Sequence, residues 1–458
     1  MKDTEQNLNI VETEEIKKNV TFLIKSFLRK DCVDNLIKSI RYFYPNTKII
    51  VVDDSNPCLN FDNYCNVTTY NLNFNVGVSF GRNFGVSKIE TEYFVLLDDD
   101  FEFTKDTNIQ SMYNVIEKNK LDVVAGQVME NNKVAQYSGN FVVNKKEKTV
   151  ITEFGSEDRG DYRKCQLVIN FFIARTETIK KYGWNNDMKT LEHPTFFYEH
   201  RDVFDVGFME NVFIEHKRVQ SPEYTPYRVG QWGLFIDWMK SNDIKYYVNY
   251  SNKLTDSGIE FISESKINPQ LAVKNLSDLT KIFKSFGTNS WLQDGTLLGY
   301  YRDRNIIPYD TDTNIGVMYE KFSVKILDAA KRANFKYYFS GYPENSFQII
   351  FERFGIRTCT SFYYRKKDIV YHSLFIKKKR YDYFYEKFNL KEIYFMGSAF
   401  FVPHDELKFI RTKYGENWQI PDKNWSYVRS PRNYRKKNIM LDLDEQTVKV
   451  NQWLGAPN

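Results

Sequence analysis

The sequence has little cysteine and no long apolar run, and each absence excludes a class of protein. No stretch approaches the ~20 consecutive apolar residues that a membrane-spanning helix needs. The five cysteines are an odd number without metal-type pairing, which argues against a disulfide framework and favours a reducing compartment. The first residues are polar and acidic, unlike a signal peptide. We therefore expect a cytoplasmic protein that is at most peripheral at a membrane.

The sequence also has few prolines and a small net charge. There are 12 prolines and no low-complexity tract, so composition gives no reason to expect long disorder. With 64 basic and 59 acidic residues the net charge is +5, which does not indicate a nucleic-acid partner, and we expect none. The basic runs 377–380 (KKKR) and 429–437 (RSPRNYRKK) are typical of solvated faces; attraction to an anionic polymer or membrane surface is the alternative.

What is present is enough apolar sequence for more than one core. The chain has 458 residues, 42% of them hydrophobic, and this length is too great for one ordinary domain. A polar, aperiodic segment at 245–268 separates two halves of different pattern. We predict a polar N-terminal segment (1–19), a first domain (20–250) and a second domain (265–458).

Short apolar strands alternate with helical periodicity in the first half. The strands are VTFLI (20–24), KIIVV (48–52) and YFVLL (93–97), and the segment 32–44 between the first two places its apolar residues on one helical face. This order predicts an α/β fold with a parallel sheet whose ligand lies at the carboxyl ends of the strands. Acidic residues follow two of these strands, at 53–54 and 98–100.

The acidic cluster at 98–100 suits a metal that neutralises a phosphate leaving group. Carboxylates cannot stabilise a departing diphosphate directly, but they can hold a divalent cation that does. We predict Asp100 as a metal ligand essential for catalysis, and Asp98 as a ligand to the metal or the ribose. A solvated, helix-capping turn is the alternative reading of the cluster.

The surrounding sequence, NVGVSFGRNFGVSKIETEYFVLLDDDFEF (75–103), resembles the inverting GT-A glycosyltransferases, and among them the β-1,4-N-acetylgalactosaminyltransferases of the ganglioside-synthesis type. The resemblance covers roughly residues 20–220, including 182–200 and 213–218. It implies a Rossmann-like, mostly parallel GT-A sheet, a UDP-sugar donor and Mn²⁺ or Mg²⁺. It also implies site roles: nucleoside contacts for Asp53 and Asp54, a base and phosphate pocket for Arg82 and Asn83, and a metal ligand in His216.

The general base departs from the pattern of these relatives. They have two acidic residues after a Glu-His pair, whereas this chain has Pro194 and Thr195, neither of which can act as a base. We predict that Glu192 takes the role, with Glu199 as the weaker candidate.

A second acidic motif stands in the second half, in WLQDGTLLGYYRDRNIIPYDTDTNIGV (291–317). Two carboxylates two residues apart on a strand share a face, so Asp310 and Asp312 are predicted to hold Mg²⁺ on a transferring phosphate. Gly295 and Thr296 would let backbone N–H groups approach phosphate oxygens. A calcium loop is excluded, because Ile315 and Lys321 replace its required glycine and glutamate.

This string resembles the LicD and fukutin family, and the later segment RTKYGENWQIPDKNW (411–425) agrees with it. The resemblance implies an α+β, nucleotidyltransferase-like domain that transfers phosphocholine or ribitol phosphate from CDP-linked donors with Mn²⁺ or Mg²⁺. It implies metal ligation by Asp310, Asp312, Asn314 and His372. It implies phosphate contact by Arg302, with Arg304 as a second candidate.

Together these patterns predict a bifunctional, glycan-building enzyme. The first domain would transfer an N-acetylhexosamine from a UDP donor. The second would transfer a phospho-alditol, phosphocholine or sugar phosphate from a CDP- or UDP-linked donor to a glycan or glycolipid acceptor. The alternatives are that one domain alone is active, or that the chain is a non-catalytic glycan- or nucleotide-binding scaffold with degenerate sites.

Overall fold

The computed structural model describes residues 12–131, 133–135, 138–219, 223–224, 227, 232–260, 263, 265–422, 425–431 and 433–455. The chain divides into two compact units, one of residues 1–250 and 255–259 and one of residues 251–254 and 260–458. The predicted limits of two independently folding domains stay a prediction. Residues 1–11 of the predicted polar segment lie outside the described residues. Within the described part of the chain, no helix combines the length and apolarity needed to cross a bilayer.

The first unit is built from seven helices and fifteen strands within its described residues. The helices are α1 (Glu14–Asn19), α2 (Lys30–Phe43), α3 (Val78–Ser87), α4 (Ile109–Asn119), α5 (Thr176–Tyr182), α6 (Glu192–His200) and α7 (Trp232–Ser241). The strands are β1 (Val20–Ser26), β2 (Lys48–Asp53), β3 (Val67–Asn71), β4 (Tyr93–Asp98), β5 (Phe101–Glu102), β6 (Val123–Glu130), β7 (Lys133–Ala135), β8 (Gly139–Asn144), β9 (Thr149–Phe154), β10 (Glu157–Asp158), β11 (Arg163–Cys165), β12 (Phe172–Arg175), β13 (Val206–His216), β14 (Tyr246–Val248) and β15 (Leu254–Asp256).

The main sheet of this unit has a parallel centre, as predicted. Its order is β10-β11-β13-β6-β12-β4-β1-β2-β3, with β4, β1, β2 and β3 parallel. Antiparallel β12 lies between β4 and β6, so the complete sheet is mixed. A second sheet has the order β15-β14-β9-β8. The α/β class is confirmed, and the parallel strands place the ends of β1, β2 and β4 side by side.

Apolar side chains hold these strands in place from both faces. Every residue of β1 is buried, and helix α2 covers one face with the four residues that its periodicity predicts. Those residues are Val33, Leu36, Ile37 and Ile40, all fully buried. Burying a large aliphatic side chain contributes about 1.5–3 kcal/mol, so this face fixes the helix on the sheet. Helix α3 packs near Leu23 and Val52 through Gly85, where an added Cβ would approach Leu23 to 2.5 Å.

The second unit contains five helices and ten strands in the residues described. The helices are α8 (Pro269–Ser285), α9 (Asp294–Arg302), α10 (Lys325–Arg332), α11 (Glu406–Tyr414) and α12 (Leu443–Gly455), with a 3₁₀ turn at Tyr319–Lys321. The strands are β16 (Ser290–Leu292), β17 (Asp312–Met318), β18 (Lys336–Ser340), β19 (Gln348–Arg353), β20 (Ile356–Lys366), β21 (Ile369–Ile376), β22 (Lys379–Glu386), β23 (Leu390–Phe395), β24 (Ser398–Pro403) and β25 (Tyr434–Met440).

These strands form one mixed sheet in the order β23-β24-β16-β17-β20-β21-β22-β25, with β18 and β19 beside β20. Strands β17 and β20 are parallel, and β20, β21, β22 and β25 are successively antiparallel. Helix α8 packs through Leu276, Leu279 and Phe283, which are fully buried, and Gly287, two residues after the helix ends, has φ +73°. The arrangement is α+β, as predicted.

The acidic motif of this unit differs from its prediction in one respect. Only Asp312 lies on a strand, at the start of β17; Asp310 precedes it in a turn, where its N–H donates to the carbonyl of Ile307 at 3.0 Å. The two carboxylates therefore do not share a strand face, and that part of the prediction is wrong. Pro308 lies within this turn, which interrupts the extended backbone before β17 begins.

Candidate active sites

The first unit has a cavity of about 310 Å³ at the carboxyl ends of β1, β2 and β4. Six of the side chains predicted for the site line this cavity: Asp54, Arg82, Asp98, Asp100, Glu192 and His216. The segments that follow these strands meet there because parallel strands end at one edge of the sheet. The neighbouring lining includes Arg29, Asn170 and Lys189, so both signs of charge face the same space.

Arg82 links the acidic cluster to the predicted base. Its guanidinium donates to Asp98 at 2.8 Å and to Glu192 at 2.6 Å, and the side chain is only 2% exposed. Burial acts to raise the pKa of Glu192, but the charge of Arg82 outweighs it and leaves the pKa below its usual range. Burial raises the pKa of Asp98 despite Arg82. Glu192 is thus ionised at neutral pH but bound to an arginine.

Asp99 and Asp100 share a second arginine. The Arg29 guanidinium forms salt bridges with both, at 2.8 Å to Asp100, and it also donates to the carbonyl of Val219 at 3.2 Å. Burial opposes ionisation of Asp100, but a hydrogen bond with His216 and the charge of Arg29 lower its pKa to about 2. Burial raises the pKa of Asp99 to about 6.

His216 lies where the sequence predicts, beside the acidic cluster. Its Nε2 is 3.2 Å from Asp100 and its Nδ1 is 2.8 Å from Glu130. Burial alone would lower the pKa of His216, but the hydrogen bond and charge of Asp100 raise it. Strand β13 ends at this histidine and pairs with β5, which begins one residue after Asp100. The short β5–β13 pairing therefore brings two distant parts of the chain to one site.

Asp54 and Asp53 have different surroundings although they are neighbours. Asp54 forms a buried ion pair with Lys25 and accepts a hydrogen bond from the N–H of Gly77 at 3.0 Å, which orders the loop before α3. Asp53 is fully buried and accepts from Ser55 Oγ at 2.6 Å and from the N–H of Leu59 at 2.9 Å. Asp53 caps its own loop, and it does not line the cavity.

Asn83 also lies outside the cavity lining. Its side-chain amide donates to the carbonyl of Trp184 at 2.7 Å and accepts from the N–H of Trp184 at 2.9 Å. This pair of bonds fixes the loop that follows α5. Trp184 in turn lies beneath Arg82, whose guanidinium is 5.7 Å from its ring. Asn83 thus supports Arg82 indirectly.

The donors of this site suit a hard divalent cation. Carboxylate and imidazole groups are ligands of Mn²⁺ and Mg²⁺, and Asp98, Asp100 and His216 face one cavity. Among the described residues, however, no three His, Cys, Asp or Glu side chains are grouped closely enough to hold a metal ion. Arg29 and Arg82 hold the carboxylates instead, so ion binding requires these contacts to be exchanged.

The second unit brings its predicted residues together at the start of α9. Gly295 is the second residue of the helix, and an added Cβ there would lie 2.5 Å from a carboxylate oxygen of Asp310. Thr296 accepts a hydrogen bond from the N–H of Asn314 at 2.8 Å. The N-terminus of a helix favours anions, so these residues place N–H groups and carboxylates side by side.

Asp310 and Asp312 form no salt bridge within the described residues. Burial raises the pKa of Asp310 to about 7, and the neighbouring charge of Asp312 adds to the rise. Burial also raises the pKa of Asp312, which accepts from the thiol of Cys359 at 3.6 Å. Two half-buried carboxylates that form no salt bridge within the described residues favour a bound cation.

Arg302 and Arg304 stand at the end of α9. Arg302 binds the adjacent Asp303 at 2.9 Å and the hydroxyl of Tyr309 at 3.0 Å, and its charge acts on Asp310. Arg304 instead lies over the rings of Tyr300 and Tyr301. The geometry favours Arg302 over Arg304 as the phosphate contact.

His372 occupies the interior of the second unit. It is fully buried on β21, with ring contacts to Tyr363 at 4.8 Å and to Tyr383 at 5.0 Å. Neither ring nitrogen has a hydrogen-bond partner among the described residues. Burial, together with the charge of Lys413, lowers its pKa well below the usual range. No contact joins His372 to Asp310 or Asp312, so its predicted metal role finds no support in this geometry.

Sequence reasoning missed a buried ion pair between Asp294 and Lys413. Asp294 begins α9 with φ +47°, Lys413 lies on α11, and the two side chains are 3% and 1% exposed. Lys413 also contacts the rings of Tyr383 and Tyr427. Burial lowers the pKa of Lys413. Both residues lie in segments that carry the family resemblance, and Arg29, also missed, follows the first strand. A charged side chain next to an apolar run was the sequence signal that could have indicated these buried ion pairs.

Comparison with known proteins agrees with the predicted tandem. Residues 21–174 match the family model "Glycosyl transferase family 2", and residues 287–405 match "LicD/FKTN/FKRP, nucleotidyltransferase domain". The predicted order, a glycosyltransferase domain followed by a LicD/fukutin-type domain, is confirmed.

Two curated relatives resemble different parts of the chain. Beta-1,4 N-acetylgalactosaminyltransferase 2 of Mus musculus is 34% identical over 216 residues, covering 46% of this chain and 41% of that protein. Ribitol-5-phosphate transferase FKTN of Homo sapiens is 27% identical over 293 residues, covering 60% of this chain and 62% of that protein. The chain thus spans less than two thirds of the length of either relative. The structure of S. aureus TarS 1–349 in complex with UDP aligns with a TM-score of 0.35 and 15% identity, covering 49% of this chain and 65% of that one, a likeness too weak to support an inference.

Proposed function

We propose that this chain is a bifunctional enzyme that builds a phosphate-containing glycan. The first unit transfers an N-acetylhexosamine from a UDP donor with inversion. The second transfers a phospho-alditol, phosphocholine or sugar phosphate from a CDP- or UDP-linked donor to a glycan or glycolipid. The observation that carries the proposal is the convergence of Asp98, Asp100, Arg82, Glu192 and His216 on one cavity at the edge of a parallel sheet.

In the first unit, the chain's own residues bind the donor and accept a proton. Arg29 and Arg82 supply positive charge where a diphosphate leaves, and Lys25 holds Asp54 towards the loop of Gly77. Mn²⁺ or Mg²⁺, held by Asp98, Asp100 and His216, would add Lewis-acid neutralisation of that diphosphate. Glu192 accepts the proton of the acceptor hydroxyl once substrate takes over its contact with Arg82.

In the second unit, the first turn of α9 receives the phosphate. The N–H groups of Gly295 and Thr296 and the charge of Arg302 bind its oxygens. Asp310 and Asp312, with Asn314 beside them, would hold a divalent cation that neutralises the transferring phosphoryl group. Lys413 neutralises the carboxylate of Asp294, and the negative charge of Asp294 therefore does not repel the incoming phosphate.

The proposal is tested by a donor screen with Mn²⁺ or Mg²⁺. Release of UDP from UDP-sugars and of CMP from CDP-alditols is measured for the wild type, Asp100→Asn and Asp310→Asn. Asp237→Asn and Asp368→Asn serve as matched controls, since those side chains are 73% and 100% exposed. We expect Asp100→Asn to abolish UDP release alone and Asp310→Asn to abolish CMP release alone. Loss of both reactions in either folded variant contradicts two independent sites.

A non-catalytic scaffold, or one active domain, is the second candidate. It is motivated by Pro194 and Thr195 at the usual base positions and by Asn314 in place of a third aspartate. Thermal shift with Mn²⁺ and each nucleotide donor separates these cases, because a site that has lost its ligands shows no metal-linked stabilisation. Metal-linked stabilisation without donor turnover, in the presence of a glycan acceptor array, favours the scaffold.

A further inference from the structure

The sheet of the second unit has a groove on the face opposite to His372. Successive side chains of a strand point to opposite faces, and directly paired residues share a face. His372 pairs with Tyr383 on the inner face, whereas Tyr371 pairs with Phe384 on the outer face. Arg435 of β25 pairs with Asp382, two residues from Phe384, so it also lies on the outer face. This outer face lines a groove of about 610 Å³.

The groove is strongly basic. Its described lining contains four cationic side chains, Lys366, Arg380, Arg435 and Lys437, and one carboxylate, Asp382. Asp382 is already neutralised by Arg380 at 2.6 Å, and both are buried. Lys366, Arg435 and Lys437 are exposed and form no ion pair within the described part of the chain. Three uncompensated cations therefore face the groove, and two of them come from the basic run at 429–437.

Aromatic rings form its floor. Tyr371 and Phe384 are half-buried with centroids 5.9 Å apart, and the guanidinium of Arg435 lies 5.6 Å from the Phe384 ring. Tyr364 continues the row at 5.5 Å from Tyr371. Rings of this kind pack against the apolar faces of sugars, and the adjacent cations suit phosphate or carboxylate groups. Two rings on the middle strands β21 and β22 are thus flanked by cations on β20 and β25.

We propose that this groove binds an anionic glycan that carries phosphate groups on both sides of a sugar, either the acceptor or the product of the reaction. The choice of a phosphate-bearing occupant rests on the proposed function. The rings are half-buried between exposed cations, which suits a polymer chain that enters the groove, whereas a bilayer surface contacts protruding apolar side chains. The net charge of the whole chain is only +5, which does not favour a nucleic acid.

The test measures binding without turnover, on the full chain. Phosphomannan is compared with the same mannan after its phosphates are removed, and a single-stranded oligonucleotide and phosphatidylglycerol vesicles are the other ligands. The variant combines Lys366→Gln, Arg435→Gln and Lys437→Gln. The control combines Lys325→Gln, Lys331→Gln and Arg332→Gln, three exposed cations of α10 whose loss changes net charge equally.

We expect the groove variant to bind phosphomannan about tenfold more weakly, and the control to change less than about twofold. Tyr371→Leu should weaken phosphomannan binding while its thermal unfolding shows that the fold is kept. The proposal is wrong if the wild type does not bind phosphomannan, or if it binds dephosphorylated mannan equally well. It is also wrong if the control variant loses as much affinity as the groove variant. If the oligonucleotide or the vesicles bind more tightly than phosphomannan, and the groove variant loses that binding, the groove belongs to that ligand instead and the proposal is wrong.

The donor screen keeps this inference separate from the proposed function. UDP and CMP release without phosphomannan binding refutes the groove alone. Phosphomannan binding that depends on the three cations, without any donor turnover, refutes the enzyme proposal and leaves the groove as an anionic-glycan site.

Discussion

The two acidic sites of this chain are neutralised in different ways. In the first unit, Arg29 and Arg82 form salt bridges with Asp98, Asp99 and Asp100 before any ligand is present. In the second unit, Asp310 and Asp312 have no salt bridge within the described residues, and burial raises the pKa of Asp310 to about 7. The carboxylates of the first site are therefore already paired with arginines and must exchange contacts to bind a metal, whereas those of the second form no salt bridge that a metal would have to replace.

The largest effect is expected when Arg82 is removed from the first unit. Arg82→Met leaves the buried Glu192 and the half-buried Asp98 without their cation, which should lower the free energy of unfolding of that unit by about 3–5 kcal/mol. Scanning calorimetry measures the loss, with the exposed Arg159→Met as the control. A change under about 1 kcal/mol would mean that water or another cation already balances these carboxylates.

The second prediction concerns Asp310 of the other unit. The pKa of Asp310 is about 7 in the folded chain and ~3.9 when unfolded, so its contribution to stability is present below pH ~4 and is lost as pH rises to 7. Asp310→Asn should therefore stabilise the metal-free protein by about 2 kcal/mol at pH 8 and leave it unchanged at pH 4. Thermal unfolding across this range is the measurement, and Asp368→Asn should show no such trend.

The third prediction tests whether Arg29 competes with a metal. Arg29→Gln removes the cation that lies 2.8 Å from Asp100, so Mn²⁺ should bind the first site about tenfold more tightly, equivalent to ~1.4 kcal/mol. Isothermal titration at a temperature where the variant is folded gives the affinity. Weaker binding than in the Arg159→Gln control would show that Arg29 assists the metal site.

The smallest expected effect is at His372. Because neither of its nitrogens has a hydrogen-bond partner in the described part of the chain and tyrosine rings lie against it, His372→Phe should change the free energy of unfolding by less than about 1 kcal/mol. Mn²⁺ or Mg²⁺ binding to the second unit should also be unchanged. Loss of metal binding in this variant would restore His372 as a ligand and require the inner face of the sheet to open.

The parts that sequence predicts well are those with strong local periodicity. The strands β1, β2 and β4 and helix α2 follow from apolar runs, and parallel pairing then places Asp54 and Asp98 at one edge. The side chains that neutralise these acids could not be predicted in this way, because Arg29 reaches Asp99 and Asp100 only through the fold of a loop. Such pairings depend on tertiary contacts between segments about 70 residues apart.

Register explains why the positions of Asp310 and His372 in the second unit could not be predicted from the sequence. Asp310 was predicted on a strand, but the turn at Pro308 delays the start of β17 to Asp312. The position of His372 depends on which face of β21 is covered, and that follows from pairing with β22 rather than from the sequence around the histidine. A shift of one residue would exchange the faces and place His372 in the groove.

The ion pair of Asp294 and Lys413 limits how this protein can be shortened. The family match ends at residue 405, yet the lysine that neutralises Asp294 lies eight residues later on α11. A fragment trimmed to the matched segment would keep the acidic residue at the start of α9 and discard its cation. A fragment made to express the second domain alone should therefore extend through α11, and we expect one that ends with the matched family model at residue 405 to be insoluble or misfolded.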